Sequence, residues 1–471
     1  MSLHLFNTRT RKVEVFSPIN DDGKTVTVYS CGPTVYARAH VGNLRAYAFS
    51  GLLESVLKFK GFNVERVVNL TDVGHMSSDS DEGEDKLQKE ANRLRKSAWE
   101  ISREFAALFF SDLEALQIPH AKKYPLATDY INQQIDFVKA LESKGLTYRT
   151  EDGIYFDTSK FPRYAEFAKL DVDGLEAGTR VSADFKRNKT DFALWKFSPC
   201  DAKRDMEWES PWGIGFPGWH IECSAMAMAL LGDQIDIHTG GIDHINVHHT
   251  NEVCQSESLT GKQFANFWMH VNFLQLDIPR EVSLPDDVKM SKSKGNVVTL
   301  DTIIEKGIDP LALKFLYYQS HYRSEMLFSF KQLSAAEKAL NRLRTTSVSI
   351  KEQTDDSMDS EAYQAMLKAI EDDLNTPKMI AELNKGLASD ISPEEKRGLI
   401  ELADETLGLA LLTYTPEKVA IPDDVQATAI ERKEARLNKD WAESDRLRDL
   451  IESKGFAVKD LAGHDFELTP L

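Results

Sequence analysis

The feature that most constrains the fold of this chain is a strand–helix–strand pattern near its start. The β-branched run Thr25–Ser30 (TVTVYS) stops at a turn, Cys31–Pro33 (CGP), and a helical pattern follows over Leu44–Phe59. A second apolar run, Val64–Leu70 (VERVVNL), comes directly afterwards. Strands that alternate with helices build parallel sheets with helices on both faces. The sequence therefore predicts an α/β fold with a doubly wound parallel sheet.

The remaining chain divides into segments of different pattern. Short strand-like runs (LTYRT, GIYFDT and FALWKF) among charged residues indicate an inserted subdomain, after which strands and helices alternate again. Helix-favouring residues at helical spacing then predict a helical bundle, and a partly basic unit ends the chain. The predicted boundaries are 1–118 and 219–308 for the two halves of the sheet domain, 119–218 for the insertion, 309–420 for the bundle and 421–471 for the last unit.

Five further elements are predicted inside these segments. Helices are expected over Lys86–Leu116, Tyr124–Gly145, Ile221–Leu231 and Val247–Leu259, and a strand over Gln234–His238. The last three of these in chain order continue the β–α alternation of the first unit. One sheet, split by the insertion, accounts for this order.

Charge and cysteine content exclude several classes of protein. The chain has 57 Lys+Arg and 75 Asp+Glu, a net charge of −18, whereas proteins that coat nucleic acid non-specifically carry a basic excess. The apolar runs are too short to cross a bilayer and the start of the chain has no apolar signal region, so we expect a cytoplasmic protein without membrane contact. Four scattered cysteines do not make a disulfide framework.

The run Pro33–Asn43 (PTVYARAHVGN) lies between the first strand and its helix. A helix N-terminus at the carboxyl edge of a parallel sheet binds anions, because unpaired backbone N–H groups and the helix dipole point outward there. His40 can donate to a phosphate oxygen, and Gly42 lets a ring or phosphate approach the backbone. A lone histidine near a turn is more often a capping or surface residue, so this run alone leaves both interpretations open.

A lysine-rich run, Lys289–Asn296 (KMSKSKGN), lies in the second half of the predicted sheet domain. Its ammonium and hydroxyl donors beside a glycine suit a loop that closes over a triphosphate and compensates the charge that develops in phosphoryl chemistry. A solvated lysine loop has the same composition.

Cys31, Cys223, His248 and Glu252 combine two thiols, an imidazole and a carboxylate. His248 and Glu252 stand at positions i and i+4, so they share one face of a helix. Soft sulfur together with borderline nitrogen suits zinc. Buried free cysteines are usually part of a hydrophobic core, however, so spacing alone leaves a metal site and a structural role both open.

The two runs taken together resemble a known class of enzyme. His-x-Gly-Asn after the first strand and Lys-Met-Ser-Lys-Ser about 250 residues later are similar to the two marker motifs of class I aminoacyl-tRNA synthetases. Five more segments resemble the cysteinyl-tRNA synthetases of that class, namely Cys31–Tyr36 (CGPTVY), Asn69–Asp72 (NLTD), Asp191–Lys196 (DFALWK), Pro217–Met226 (PGWHIECSAM) and His248–Glu252 (HHTNE). The resemblance implies a Rossmann-type sheet domain with an insertion, then a helical bundle and a small anticodon-binding domain.

The resemblance also implies the reaction. A cysteine–tRNA ligase activates L-cysteine with ATP and Mg²⁺ to cysteinyl-adenylate and pyrophosphate, and then transfers the cysteine to the 3′-terminal adenosine of tRNA(Cys). Residues matching Cys31, Cys223, His248 and Glu252 hold one Zn²⁺ in that family, and the substrate thiolate joins the metal. Zinc lowers the pKa of a thiol, whereas a serine hydroxyl stays protonated, so this contact would separate cysteine from serine without proofreading.

Further site residues follow only from the resemblance. The implied catalytic residues are His40, Asn43, Lys289 and Lys292. The implied ATP contacts are His40, Gly42, Asn43, Asp243 and Lys292, and the implied amino-acid contacts are Gly32, Thr34, Thr71, Trp219 and His238. Cys200 and Cys254 match nothing in the family and are predicted to be structural. An acidic run, Gly74–Glu84, follows the Asn69–Asp72 motif and departs from the pattern of many relatives; we predict a solvated loop there.

The last unit resembles the anticodon-reading domain of the same family. Arg436 and Asp445 can hydrogen-bond base edges and Trp441 can stack on an unpaired base, although a basic helix with one tryptophan is otherwise mostly a surface helix. The expected partners are thus tRNA(Cys), ATP and L-cysteine, with the chain acting as a monomer. Two alternatives stay open: a related ligase that transfers cysteine to an aminosugar amine and lacks this domain, and a catalytically silent RNA-binding or zinc-structural protein of the same fold.

Overall fold

A computed structural model describes eight stretches of the chain, which are residues 2–73, 86–170, 186–199, 204–277, 297–350, 360–415, 421–461 and 465–470. The chain forms two compact units, Met1–Thr413 and Tyr414–Leu471. Lys289, Lys292, Cys200 and the acidic run 74–84 lie outside the described residues. None of the helices in the described stretches is long and apolar enough to cross a membrane.

Strands and helices alternate in the first part of the chain, and helices predominate later. The strands are β1 (His4–Asn7), β2 (Lys12–Val15), β3 (Thr25–Ser30), β4 (Asn63–Val68), β5 (Thr147–Arg149), β6 (Gly153–Phe156), β7 (Phe192–Phe197), β8 (Gly215–Pro217), β9 (Ile235–Gly241), β10 (Ala265–Val271), β11 (Leu274–Leu276), β12 (Met326–Phe328), β13 (Phe456–Asp460) and β14 (Phe466–Pro470). The helices are α1 (Val41–Phe59), α2 (Lys86–Leu94), α3 (Ala98–Ala115), α4 (Ile131–Ser143), α5 (Trp219–Leu231), α6 (Thr250–Thr260), α7 (Leu300–Glu305), α8 (Pro310–Tyr318), α9 (Phe330–Ser349), α10 (Glu361–Glu371), α11 (Thr376–Ala388), α12 (Pro393–Leu407), α13 (Asp423–Leu437) and α14 (Trp441–Ser453).

The predicted doubly wound parallel sheet is confirmed, with the strand order β10-β9-β3-β4. Each neighbouring pair is parallel, and Tyr29 of β3 pairs with His238 of β9 on one side and Val67 of β4 on the other. From β3 the chain crosses through α1 to β4 on one side, while from β9 it crosses through α6 to β10 on the other. The strand order therefore reverses between β3 and β9, and the crevice beyond their carboxyl ends is where such sheets bind ligands.

Helix α1 joins the sheet to the later helices. Its apolar side chains are buried, Leu44, Leu53 and Leu57 among them, so it packs as an interior helix. Arg45 is also buried, and its guanidinium donates to four backbone carbonyls, two at Asn272 and Phe273 and two more in the segment after α8. These bonds satisfy a buried cation without a carboxylate.

The segment predicted to be an insertion contains an antiparallel sheet of order β5-β6-β7-β8. The three strand-like runs predicted there are confirmed as β5, β6 and β7, whereas the three-residue β8 was not predicted. The predicted helical bundle contains α8 to α12. The short strand β12, which was also not predicted, lies between α8 and α9 and pairs with β11.

Two of the predicted helices are shorter in the structure. The helix predicted over 86–116 is split into α2 and α3, because Arg95 has a φ of +55° and Ser97 starts a new helix by a reciprocal cap with Glu100. The helix predicted over 124–145 begins only at Ile131. The preceding residues instead run along β4 and the residues just after it, where Val67 pairs with Lys123 and Leu70 with Leu126, and then form a 3₁₀ turn.

One buried cation in the helical region yields a prediction about stability. Lys314 of α8 is buried, its Nζ donates to the carbonyls of Gln117 and Gly408, and burial lowers its pKa to about 7. Between that pKa and the roughly 10.4 of an unfolded lysine, the unfolded chain binds a proton that the folded chain has released. This group therefore makes folding more favourable as pH rises, by about 1.4 kcal/mol per pH unit.

We predict that Lys314→Met removes this gain. The difference in urea midpoint between wild type and variant should change in favour of the wild type from about pH 7.5 to about pH 9.5. A difference in urea midpoint that stays constant over that pH range would contradict the loss of the Lys314 proton in the folded chain.

Candidate metal centre and active site

The four predicted metal ligands meet in the crevice between β3 and β9. Cys31 directly follows β3, Cys223 lies on α5, His248 lies in a π-helical turn and Glu252 lies in the first turn of α6. Their ligand atoms, two Sγ, a ring nitrogen and a carboxylate oxygen, all lie within 4.8 Å of one another. The structure thus brings together residues that are far apart in the sequence.

Local backbone features make this convergence possible. The turn Ile245–His249 is π-helical, and Thr250 closes it by donating its hydroxyl to the carbonyl of Ile245 at 2.7 Å. A Cβ at Gly240 of β9 would lie 2.6 Å from the His249 ring, and a Cβ at Gly32 would lie 1.6 Å from the carbonyl oxygen of Asn69. Both glycines are therefore required by close packing around the crevice.

The charges of the cluster depend on one another. Burial would raise the pKa of Glu252, but His238 and His248 outweigh it and lower that pKa to about 2. Burial would lower the pKa of His248, but Glu252 and Cys223 raise it to about 10. Burial raises the pKa of Cys31. The pKa of Cys223 is also raised, by the hydrogen bond that its thiol donates to Cys31 and by burial. Without a cation both thiols would stay protonated, and a bound cation would reverse this.

The geometry fits a metal ion better than a hydrogen-bonded polar core. The Nε2 of His248 and the Oε1 of Glu252 are 3.0 Å apart, yet Oε1 accepts no hydrogen bond from the residues that the structure describes. The other ring nitrogen of His248, Nδ1, is 3.0 Å from Nδ1 of His220, which leaves Nε2 for coordination. Two sulfurs, one imidazole nitrogen and one carboxylate oxygen form a donor set suited to zinc.

More histidines surround the cluster than the sequence analysis assigned. Two other donor sets also meet the same 4.8 Å limit, one with His244 and His249 and one with His238 and His249. His220 and His270 approach from α5 and β10. The spacing of His244 and His249 around His248 could have indicated the first two, and His220 lies within the family-like run Pro217–Met226. No local pattern points to His270.

The predicted amino-acid contacts lie around this cluster. Trp219, the first residue of α5, stacks on the His248 ring with centroids 4.4 Å apart. Thr34 and Thr71 pair as a short parallel bridge just beyond Cys31 and β4, and the N–H of Gly32 donates to the Asn69 side chain.

His238 is placed differently from the expectation for its strand. The strand predicted to end there continues to Gly241, so His238 lies within β9 and not at its end. Its ring is buried, stacks on Trp268 and lies 3.1 Å from Glu252 through Nε2. In this position its Nε2 contacts Oε2 of Glu252 and can orient the carboxylate.

The predicted nucleotide contacts lie at the start of α1 and beyond β9. His40 caps α1, since its Nδ1 accepts from the N–H of Asn43 at 3.1 Å and Asn43 accepts from the N–H of His40. A neutral His40 therefore carries its ring proton on Nε2. Gly42 lies in the same turn, and Asp243 is exposed in a 3₁₀ turn after β9.

The lysine-rich run itself lies outside the described residues, but the chain that follows it returns to α1. Val41 donates its N–H to the carbonyl of Val298 at 2.9 Å, and His40 pairs with Thr299 in an antiparallel bridge. The chain just after the lysine-rich run is therefore bonded to the turn that carries His40.

The second unit consists of α13, α14 and the hairpin β13–β14. Arg436 pairs with Asp460 at 3.1 Å, and its guanidinium lies 5.8 Å from the centre of the Trp441 ring. Trp441 is 58% exposed, and Asp445 is exposed on the same helix. Two of the three predicted anticodon residues therefore adjoin each other on the surface of this unit.

Comparisons with known proteins agree with this arrangement. Residues 16–338 match the family described as tRNA synthetases class I (C) catalytic domain. The chain is 45% identical to cysteine–tRNA ligase 1 of Burkholderia lata (98% of this chain, 95% of the relative) and 39% identical to the cysteine–tRNA ligase of Treponema denticola (98% and 99%).

Solved structures show the same fold at low identity. Methionyl-tRNA synthetase of Mycobacterium tuberculosis, bound by methionyl-adenylate, superposes with a TM-score of 0.56 at 13% identity over 82% of this chain and 90% of that one. A LeuRS–tRNA complex from Agrobacterium radiobacter gives 0.57 at 10% identity, over 85% and 86%. With its parallel sheet, its crevice and these relatives over almost its full length, the chain belongs to the class I tRNA synthetases, in the family of the cysteine–tRNA ligases.

Proposed function

We propose that this chain is a cysteine–tRNA ligase, which activates L-cysteine with ATP and transfers it to the 3′-terminal adenosine of tRNA(Cys). The observation that carries the proposal is the convergence of Cys31, Cys223, His248 and Glu252 in the crevice of the sheet. A thiol-selective centre explains why this member of the class would take cysteine. The names of its close relatives support the same reading.

The four ligands would hold one Zn²⁺, which when bound would favour a substrate thiolate over a hydroxyl. The chain's own residues prepare this site. His220 orients His248 through Nδ1, and His238 orients Glu252 through Nε2. Trp219 lies against the His248 ring and would form a wall of the amino-acid pocket, with Gly32, Thr34 and Thr71 at its other side.

The start of α1 would bind ATP as its Mg²⁺ complex. The Nε2–H of His40 is a donor for a phosphate oxygen, and Gly42 and Asn43 lie in the helix turn whose N–H groups favour anions. Asp243 would contact the adenosine, and Lys289 and Lys292 would balance the charge of the leaving pyrophosphate. The substrate carboxylate attacks the α-phosphate without a general base, so we expect catalysis by positioning and charge.

The second unit favours tRNA over an aminosugar as the acceptor. Trp441 presents an exposed ring for stacking, with the Arg436 guanidinium beside it and Asp445 on the same helix. Exposed aromatics next to arginine are typical of single-stranded RNA recognition. Ligases that transfer cysteine to an aminosugar lack this domain.

We predict opposite results for two buried cysteines. Cys223→Ala removes a proposed ligand, so zinc content and cysteine-dependent ATP–pyrophosphate exchange should both fall, by more than the roughly 10–100-fold that a change behind a ligand costs. Cys254→Ala, an equally buried cysteine outside every candidate donor set, should keep both. The zinc content of each variant and its ATP–pyrophosphate exchange with cysteine, and with serine as a control, test this prediction. Undiminished cysteine-specific exchange in the Cys223 variant would contradict the proposed metal centre.

We also predict that Trp441→Ala separates the two half-reactions. Losing one stacked base costs roughly 1–3 kcal/mol, so charging of tRNA(Cys) should fall about 5–150-fold while ATP–pyrophosphate exchange stays unchanged. Trp441→Phe should restore part of the charging, and Ile430→Ala, which removes another exposed apolar side chain of the unit, should leave it normal. Normal charging by Trp441→Ala would contradict the role of this ring in tRNA binding. Transfer of cysteine to an aminosugar amine by a wild-type chain that does not charge tRNA(Cys) would favour the alternative acceptor.

A further inference from the structure

Three hydrogen bonds in line connect Cys31 to the N-terminal hairpin. The Cys31 Sγ is 3.2 Å from Nε2 of His249, Nδ1 of His249 is 2.7 Å from Nε2 of His270, and Nδ1 of His270 is 2.8 Å from Oγ1 of Thr8. Thr8, His249 and His270 are each at most 5% exposed. Thr8 lies in the turn between β1 and β2, and His270 lies on β10.

If Cys31 is a thiolate, the chemistry of these groups fixes which atom donates in each of the three hydrogen bonds. A neutral imidazole has one donor and one acceptor nitrogen, and burial disfavours the charged form. A thiolate at Cys31 can only accept, so Nε2 of His249 must donate to it and Nδ1 of His249 must accept. His270 then donates through Nε2 and accepts at Nδ1, which leaves the Thr8 hydroxyl as the first donor.

The three hydrogen bonds would run in the opposite direction if His249 were itself a metal ligand. In the donor set that contains His238, His249 and Glu252, His249 itself would be a ligand through Nε2. Its ring proton would then be on Nδ1, His270 would be protonated on Nδ1, and Thr8 would accept. The proton position on His270 thus distinguishes a histidine that supports Cys31 from a histidine that binds the metal.

The hairpin turn is bonded to the edge of the central sheet. The N–H of Thr8 donates to the carbonyl of Trp268 at 2.8 Å, and the side chain of Asn7 bonds both the carbonyl of Asn266 and the N–H of Trp268. These bonds place the Thr8 hydroxyl in a fixed register with His270, two residues along the same strand. A mobile turn could not keep such an alignment.

We propose that Thr8 is a positioning residue of the metal centre, whose hydroxyl donates to His270 and, through His270 and His249, holds an N–H donor on the Cys31 thiolate. This inference rests on the proposed zinc site. A donor on a ligating thiolate fixes its orientation and withdraws negative charge from it, and such supporting contacts tune metal affinity. Thr8 is about 240 positions from His249 in the sequence, so no local motif reveals its role.

The test compares three substitutions in the full chain. Thr8→Val keeps the side-chain shape but removes the donor, so zinc should leave to a chelator about 10–100-fold faster, and the thiolate-to-metal charge-transfer band of the cobalt-substituted protein should shift. Thr8→Ser keeps the hydroxyl and should restore both. Thr10→Val makes the same change at an exposed position of the same turn and should alter neither.

The outcomes separate this inference from the proposed function. A wild-type chain that binds no zinc overturns the metal centre itself. Zinc-bearing wild type together with an unchanged release rate and band in Thr8→Val overturns the role of Thr8 alone. If Thr8→Val does not fold, ¹⁵N NMR of histidine-labelled, zinc-loaded wild type decides: a proton on Nε2 of His270 supports the proposal, and a proton on Nδ1 overturns it.

Discussion

The pairing of β3 with β9 is the interaction on which the rest of the site depends. Tyr29 lies opposite His238, and the N–H of Cys31 continues the ladder by donating to the carbonyl of Thr239 at 3.0 Å. Because these strands are parallel, their carboxyl ends open on the same crevice. That register places Cys31 beside the π-helical turn that carries His248, and it places the start of α1 on the same edge of the sheet.

A cluster this polar is costly inside a protein unless something compensates its charges. Glu252, His238 and His248 are buried together with the Cys223 thiol and beside the half-buried Cys31, and burial alone would neutralise most of them. Functional sites commonly violate the rules that the rest of a fold follows. Here a cation shared by the four ligands would turn unfavourable burial into binding energy, and the histidines behind the ligands would keep each donor atom facing it.

The sequence predicted the parts of this structure that local patterns encode. The unit β3–α1–β4 follows from a β-branched run, a helical pattern and a second apolar run, all within about seventy residues. The resemblance to a known family selected the four ligands, which residue spacing alone had left open. The structure supplied their convergence.

Most of what the sequence did not predict depends on contacts between distant segments. Helix α4, for example, starts late because residues before it join the edge of the sheet. The split between α2 and α3 is a local exception, since the reciprocal cap of Ser97 and Glu100 was concealed by a continuous helical pattern. His270 and Thr8 matter only because folding brings them to the ligands, whereas His220 lies in a run that already resembled the family. Lone residues of these types occur throughout any chain, so tertiary contact is the only signal that separates them.

X-ray absorption at the zinc edge tests the central claim most directly, because it counts the sulfur atoms bound to the metal. The zinc-loaded chain should show two sulfur neighbours, from Cys31 and Cys223, and three after addition of L-cysteine, with no change on addition of L-serine. A sulfur count that stays at two in the presence of saturating cysteine would contradict selection of the substrate through its thiolate.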